Sequence, residues 1–188
     1  MELFKFVVGQ IVDLESHEWK AFKDQLSIHE FKKGTLLSLS GKVPEEVFFI
    51  EKGLVRVVIN DSKGAEHTIH FSQEGQFIAD YASYLRRQPA HYALQALEDT
   101  RVVVLPKSAI EWGYAHLKQG EKLGRLLAEL YFSFHDDRIK RSYALSPKER
   151  YSGIEEIFPG ILSRVPQHMI ASYLGISSVH LSRLKNQK

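Results

Sequence analysis

The sequence contains no cysteine. That excludes structural disulfides, cysteine-ligated iron–sulfur clusters and cysteine-based zinc fingers, and it fits a reducing compartment. No apolar run approaches the ~20 residues needed to span a bilayer. The opening residues, MELFKFVVGQIVDL, hold only a short apolar stretch, carry Glu2 early and lack a small-residue cleavage site. They read as mature protein, and the expected location is the cytoplasm, with no membrane partner. No Gly-rich phosphate loop and no G-x-S-x-G motif is present. Asp136 and Asp137 are neighbours on a predicted helix, where successive side chains diverge by about 100°, so the pair reads as a solvated face rather than an acid/base couple. His67 and His70, three apart on a predicted strand, point to opposite faces and cannot chelate together. The nine histidines are scattered; His91 and His180 stand out, the others reading as surface residues. No catalytic or metal-binding set emerges, so the chain reads as a non-enzyme without metal, and no cofactor is expected beyond an unidentified small-molecule effector.

What is present is an ordinary globular composition: 188 residues, 44% hydrophobic and 26% charged. The net charge of +2 is unevenly distributed. Residues 1–137 hold 16 Lys/Arg against 20 Asp/Glu, a net of −4, whereas residues 138–188 hold nine against three, a net of +6. An acidic body with a basic tail suggests that the tail meets a polyanion.

Four patterns follow one another. Residues 1–25 read as helical, with Val12, Trp19, Phe22 and Leu26 recurring at helical steps. Residues 26–105 read as short strands: "EFKKGTLLSLSGK", "EEVFFIEKGLVRVVIND", "AEHTIHF" and "YALQALEDTRVVVLP" are rich in β-branched and aromatic residues and are separated by Gly-containing turns. Their spacing predicts a compact all-β roll or barrel. A short helical piece, "DYASYLRRQPA", interrupts it and ends before Pro89. Residues 107–143 then lose strand character. Leu123, Leu127, Leu130 and Phe134 fall on a 4-3-4 spacing and form one apolar seam, widened by Leu126 and Phe132. A helix apolar on two sides needs two partners, its own body and another, and a second copy of the chain is the simplest candidate for the other. Pro147 breaks this helix.

The tail, "VPQHMIASYLGISSVHLSRLK", allows two helical turns from Gln167 to Leu174, a Gly turn at Gly175 and a second helix capped by Ser177. Ile170, Ala171, Leu174, Ile176, Leu181 and Leu184 supply the apolar faces. Ser178, His180, Ser182, Arg183 and Lys185 are left outside. Donors on a helix narrow enough for a major groove are what base-edge and phosphate recognition requires, so this reads as a helix-turn-helix.

In this order the parts resemble the Crp/Fnr family of bacterial transcription regulators. The carriers are "FFIEKGLVRVVIND", "EGQFIADYASYL", "LQALEDTRVVVLP" and the tail segment. The resemblance implies an α+β chain: a cyclic-nucleotide-binding-like jelly roll with flanking helices (1–115), a dimerisation helix (116–144) and a helix-turn-helix DNA-binding domain (145–188). It implies double-stranded DNA as partner, with RNA polymerase as a further one. Only Asn186, Gln187 and Lys188 follow the recognition helix, so no β-wing is expected after it.

The chain departs from the family pattern where ligand is held. The family's Gly-Glu-Leu, whose Glu grips the ribose, is matched by Ala79, Asp80 and Tyr81, and the phosphate-binding Arg and its Ser/Thr neighbour by Ala90 and His91. Breaking a desolvated charge pair costs roughly 3–5 kcal/mol, so cyclic AMP and cyclic GMP are not expected to bind. The resulting degenerate pocket comprises Phe77, Ile78, Ala79, Asp80, Tyr81, Tyr84, Ala90, His91 and Tyr92. In the recognition helix the family's base-reading Arg and Glu are replaced by Ser178 and Val179. Expected DNA contacts are Gln167, Ser177, Ser178, His180, Ser182, Arg183 and Lys185, and the expected dimer seam is Leu123, Leu127, Leu130 and Phe134. The rival reading is a ligand-binding or protein-interaction module whose C-terminal helices are only structural.

Overall fold

The computed structural model describes residues 1–186; Gln187 and Lys188, on which the wing expectation partly rests, lie outside the described residues. The N-terminal stretch forms two helices, α1 (Glu2–Ile11) and α2 (Ser16–Lys23), rather than one continuous run. A carboxylate organises the break. Glu18, inside α2, accepts the Glu15 N–H at 2.9 Å with one oxygen and the Lys118 N–H at 2.6 Å with the other. Glu18 is the N3 partner of a capping box whose N-cap is Glu15, an unusual residue for that position, so the start of α2 carries only a weak local signal.

Eight strands follow: β1 (Ser27–Phe31), β2 (Leu36–Ser38), β3 (Glu46–Lys52), β4 (Val55–Asn60), β5 (Glu66–Ser72), β6 (Phe77–Ile78), β7 (Ala93–Ala96) and β8 (Thr100–Pro106). A short helix, α3 (Tyr81–Arg86), interrupts them where the sequence places one. They form two four-stranded antiparallel sheets, ordered β1-β8-β3-β6 and β2-β7-β4-β5, and thus a jelly roll. Strands β3 and β8 pair in a register that sets Phe49 opposite Val103. Alternate residues serve different cores. Phe48, Ile50, Val102 and Val104 fill the space between the sheets, while Val47, Phe49, Val103 and Leu105 turn outward to meet helices. Burial on both faces is why these strands read as continuous apolar runs.

Helices α4 (Lys107–His116) and α5 (Gly120–Ala144) leave the roll. Gly120 is where they nearly touch: a Cβ there would lie 2.1 Å from the Gly113 carbonyl oxygen. This close approach presses one side of α5 onto its own chain. Leu123 is only 7% exposed within a cluster that includes Phe4, Phe22 and Phe49, and Leu127 packs on the same cluster. Phe134 packs instead towards the tail. Three of the four residues of the predicted dimer seam thus already have partners within the chain. Leu123, Leu127 and Phe134 are engaged within the chain, and Leu130 remains exposed with Phe132, Ile139 and Tyr143.

The tail holds five short helices: α6 (Pro147–Ser152), α7 (Ile154–Ile157), α8 (Ile161–Arg164), α9 (Gln167–Leu174) and α10 (Ser178–Asn186). Pro147 opens a helix as well as closing one. Ser146 Oγ accepts the Glu149 N–H, and Glu149 Oε2 accepts the Ser146 N–H. Among the described residues no helix is long and apolar enough to cross a membrane.

Candidate functional site

Three places bear on function: the cassette around α3, a cavity beneath α5 and the outer face of α10. In the cassette, Asp80 is buried and its carboxylate is fully engaged inside the chain. Oδ1 accepts the Ser83 N–H at 3.2 Å, capping α3, and Oδ2 accepts the His91 N–H at 2.9 Å. Ala90 is buried, while His91, Arg86 and Arg87 are exposed. Tyr84 stacks on Tyr81 with centroids 5.9 Å apart and lies under the Lys107 ammonium. The Tyr84 phenol is pushed up to about 12, chiefly by burial and then by Tyr114 and Tyr81 nearby.

A cavity of about 350 Å³ runs between the roll and α5. Of the expected pocket residues, Phe77, Ile78, Ala79, Tyr81 and Tyr92 line it, whereas Asp80, Tyr84, Ala90 and His91 stand outside the lining. The cavity is deeper than the cassette. Ile69 and His70 of β5 border it, as do Leu127, Ala128, Leu130, Tyr131, Phe134, His135 and Arg138 of α5. His70 is the residue that sequence reasoning missed. Its ring centroid lies 4.6 Å from Phe134, 5.5 Å from Phe158 and 6.3 Å from His135. Its Nδ1 is buried without a hydrogen-bond partner among the described residues. Such an unmet group costs about 1–3 kcal/mol. Burial, then the charges of His135 and Arg138, pushes His70 down to about 3, so the ring is neutral at pH 7. His135 is lowered for the same reasons, burial first and Arg138 second. Burial also pushes the Tyr131 phenol up to about 12. Among the described residues lining the cavity there is no Asp, Glu or Lys, and Arg138 is the single arginine, 5.6 Å from the centre of the Tyr173 ring.

The tail presents α9 and α10 as a hairpin. Gly175 is left-handed (φ 69°), as a non-glycine residue rarely is. The Ile176 N–H reaches the Ala171 carbonyl, and the Gly175 N–H reaches that of Ser172, closing α9 in a Schellman turn. Ser177 Oγ accepts the His180 N–H at 3.1 Å, the cap its sequence position predicts. Ile170, Ala171, Leu174 and Leu181 are buried between the helices. Gln167, Ser177, Ser178, His180, Ser182, Arg183 and Lys185 are all exposed. Arg150 holds the base of the hairpin, donating to the carbonyls of Leu145 at 2.7 Å and Leu174 at 3.0 Å.

The tail also docks on the roll. Arg164 makes paired hydrogen bonds to Glu98 (3.0 and 2.8 Å) and to Glu74 (3.0 and 2.9 Å). The Thr68 N–H donates to Ser172 Oγ, and Gln73 Nε2 donates to the Pro159 carbonyl. Partial burial works to raise the Glu74 carboxyl, but Arg164 and the Gly53 N–H outweigh it and hold the group below its ordinary value. Among the described residues no group of three or more His, Cys, Asp or Glu is placed to hold a metal.

Comparison with known proteins agrees with this architecture. Residues 28–116 match the sequence profile of the cyclic nucleotide-binding domain family. No curated protein matches the chain by sequence. Among solved structures, FixK2 from Bradyrhizobium japonicum superposes with a TM-score of 0.72 at 18% identity, over 86% of this chain and 83% of that one. A chain described as a Crp/Fnr-family transcriptional regulator from Eubacterium rectale gives 0.69 at 17% identity, over 93% and 83%. The catabolite activator protein of Thermus thermophilus gives 0.58 at 18% identity, over 96% and 85%. The chain therefore shares the α+β fold of these solved structures, which is the fold that the sequence resemblance implies.

Proposed function

We propose that this chain is a homodimeric, sequence-specific DNA-binding regulator of transcription with a degenerate cyclic-nucleotide cassette. In this reading residues 1–115 are the sensor-like roll, 116–144 carry the dimer helix and 145–188 bind DNA. The observation that carries it is the outer face of α10: Ser178, His180, Ser182, Arg183 and Lys185 all remain exposed while Leu181 anchors the helix from behind. Gln167 stands free at the start of α9. The docking of the tail onto the roll is what the rival, a purely structural tail, needs; yet docking consumes Ser172, Arg164 and Phe158 and leaves α10 outward.

The dimer reading rests on the outer side of α5. Phe132 (71% exposed), Ile139 (59%) and Tyr143 (89%) are seven and four residues apart and so share one stripe, on the side of the helix opposite Leu130. Three large apolar side chains on one exposed stripe are the kind of surface a second subunit covers. Two copies of α10 about 34 Å apart would address half-sites one helical turn apart. RNA polymerase is a further partner in this reading.

The chemistry of the cassette supports the lack of cyclic-nucleotide binding. A cyclic phosphate requires a fixed cation, and Ala90 supplies none. The Asp80 carboxylate already accepts the His91 N–H, so a backbone donor that an anionic ligand could use is taken by the chain's own anion. Calorimetry with cyclic AMP is expected to show no binding in the micromolar range; a micromolar Kd overturns this part. For DNA, Arg183→Ala and Lys185→Ala should each weaken binding to a selected operator and lower the salt slope by about 0.9 for every phosphate left without its cation. Unchanged affinity and slope in both variants would remove the assignment of α10 to DNA.

A further inference from the structure

We infer that the cavity between the roll and α5 binds an organic anion with an apolar body, whose carboxylate meets the guanidinium of Arg138. The inference rests on reading the roll as a small-molecule sensor, and it adds the chemical class of what is sensed. At about 350 Å³ the cavity lies within the range of small-molecule sites, roughly 300–1,000 Å³. Its apolar walls, with Ile69, Phe77 and Leu127 among them, suit an aliphatic or aromatic body.

The polar part of the lining is one-sided. Among the described lining residues Arg138 is the one fixed charge, with no Asp, Glu or Lys to balance it. It is half-buried and forms no ion pair among the described residues; Asp136, two positions before it, pairs instead with Lys140. What lies against it is the Tyr173 ring, with its centroid 5.6 Å away. A guanidinium carries five N–H donors, and a ring face offers them no acceptor oxygen. The charge is felt inside the cavity: after burial it is what pushes the lining His135 down, and it adds to the lowering of His70.

The neighbouring polar groups favour donation. Gln76 Oε1 accepts the Gln73 N–H, which leaves the Gln76 amide hydrogens to donate. Burial chiefly keeps the Tyr114 and Tyr131 phenols protonated, with Tyr131 pushed up to about 12, so both retain an O–H. A cation would find no carboxylate in the lining, and a neutral molecule would leave Arg138 without a counter-charge. A carboxylate supplies both the charge and the acceptor oxygens, in the planar geometry that a guanidinium pairs with best. This is not the cassette position of Ala90: Arg138 lies in the second half of α5, facing Tyr173 of α9. An anion held there sits where the long helix meets the DNA-binding hairpin.

The test titrates probes of two shapes calorimetrically into the full chain at pH 7 without DNA: decanoate and 2-naphthylacetate, each beside its neutral amide, with 2-naphthylethylamine as the cation. The expected result is that at least one carboxylate binds once per chain, its amide about tenfold to hundredfold weaker, and the amine not at all. Arg138→Gln should bring the carboxylate down to the amide's affinity and leave the amide's own affinity unchanged, while Arg138→Lys should keep part of the preference. Near-UV circular dichroism checks that each variant is folded. A measurement on the wild-type protein tests Arg138 without either variant: the bound carboxylate should raise the His135 titration midpoint followed by NMR, because it offsets the Arg138 charge that lowers it, and the amide should not. Failure of both carboxylates to bind, an amide as tight as its carboxylate, binding of the amine, a preference that survives Arg138→Gln, or an unmoved His135 each overturns the inference. A gel shift run separately keeps the two readings apart: DNA binding without probe binding removes the ligand class alone, and probe binding without DNA binding removes the regulator alone.

Discussion

On one side of the roll, β3 and β8 meet the N-terminal helices, α4 and α5 across a nest of rings: Phe4 lies edge-on to Phe49 at 5.1 Å and to Phe77 at 5.9 Å, and Phe22 stacks on Trp112 at 6.3 Å. On the other side, the tail meets the roll through Leu54, Phe71 and Leu97 against Phe158, Ile161 and Ile170, and there the apolar contact is framed by polar bonds from Arg164, Gln73 and Thr68. The first interface is mostly apolar, and its ionic element, the Met1 ammonium 3.7 Å from a Glu51 carboxylate that also accepts the Phe4 N–H, is largely shielded from solvent. The second is partly ionic and partly exposed, so it can loosen without unfolding the roll. Under the proposed reading, with the roll as sensor and the tail as DNA-binding part, the adjustable contact lies between those two parts.

The severest test of this contrast falls on the ring side. Phe49 is fully buried against Phe4 and Phe77. Phe49→Ala should cost about 3–5 kcal/mol of global stability, through lost transfer energy and a residual cavity. Urea titration should show the midpoint falling with the slope unchanged. A loss below about 1 kcal/mol would mean that this side is not the permanent one.

The second test addresses the junction between the two sides, His70. Its folded-state value, about 3, lies below the ordinary 6.5. The unfolded chain therefore takes up the proton first, and stability present above pH 6.5 is lost as pH falls towards 3. At about 1.4 kcal/mol per pH unit, lowering pH from 7 to 5 should cost about 2 kcal/mol through this ring. Glu18 and Glu74 are held below their ordinary 4.5, so their contributions are lost only at lower pH and do not confuse this window. Urea titrations at pH 7 and pH 5 check it. His70→Phe should remove most of the difference, leaving the part due to His135, whose value is lowered in the same direction.

How much of this was legible in the sequence depends on whether a feature is local. The cap at Ser177, the turn at Gly175, the interruption at α3 and the strand runs of β3 and β8 are set by neighbours in the chain, and pattern reading places them. The seam on α5 was half legible. Periodicity shows that Leu123, Leu127, Leu130 and Phe134 lie along one side, but not what covers that side; that is decided by the touch of Gly120 on Gly113 and by the tail, which meets Phe134 from elsewhere in the sequence. His70 was not legible at all. On an isolated strand it sits between Ile69 and Phe71 with nothing to show what covers it, and its Nδ1 is buried where Phe134 and Phe158 pack against the ring. The broken N-terminal helix was hidden likewise, since its organiser, Glu18, is fixed by the Lys118 N–H across 100 residues.

The smallest effect is also the most discriminating between the two interfaces. Arg164 binds two carboxylates at once, and its side chain is 25% exposed, with Glu74 and Glu98 more exposed still. Charge-assisted hydrogen bonds reach about 1.5–3 kcal/mol where well shielded; at this exposure about 1–2 kcal/mol is the appropriate scale. Arg164→Met keeps the aliphatic stem and removes the charge. Because α9 and α10 also pack on each other through Leu174 and Leu181, the loss should fall on docking rather than on folding. Amide hydrogen exchange should therefore speed up about tenfold in the β5 and tail amides that face each other, such as Thr68, and hardly at all in β3 and β8. The wild-type protein in high salt should move in the same direction, since screening weakens the same ion pairs. If Arg164→Met instead shifts the whole chain's unfolding by several kcal/mol, the two sides of the roll form one cooperative unit and the tail is no more adjustable than the rings opposite.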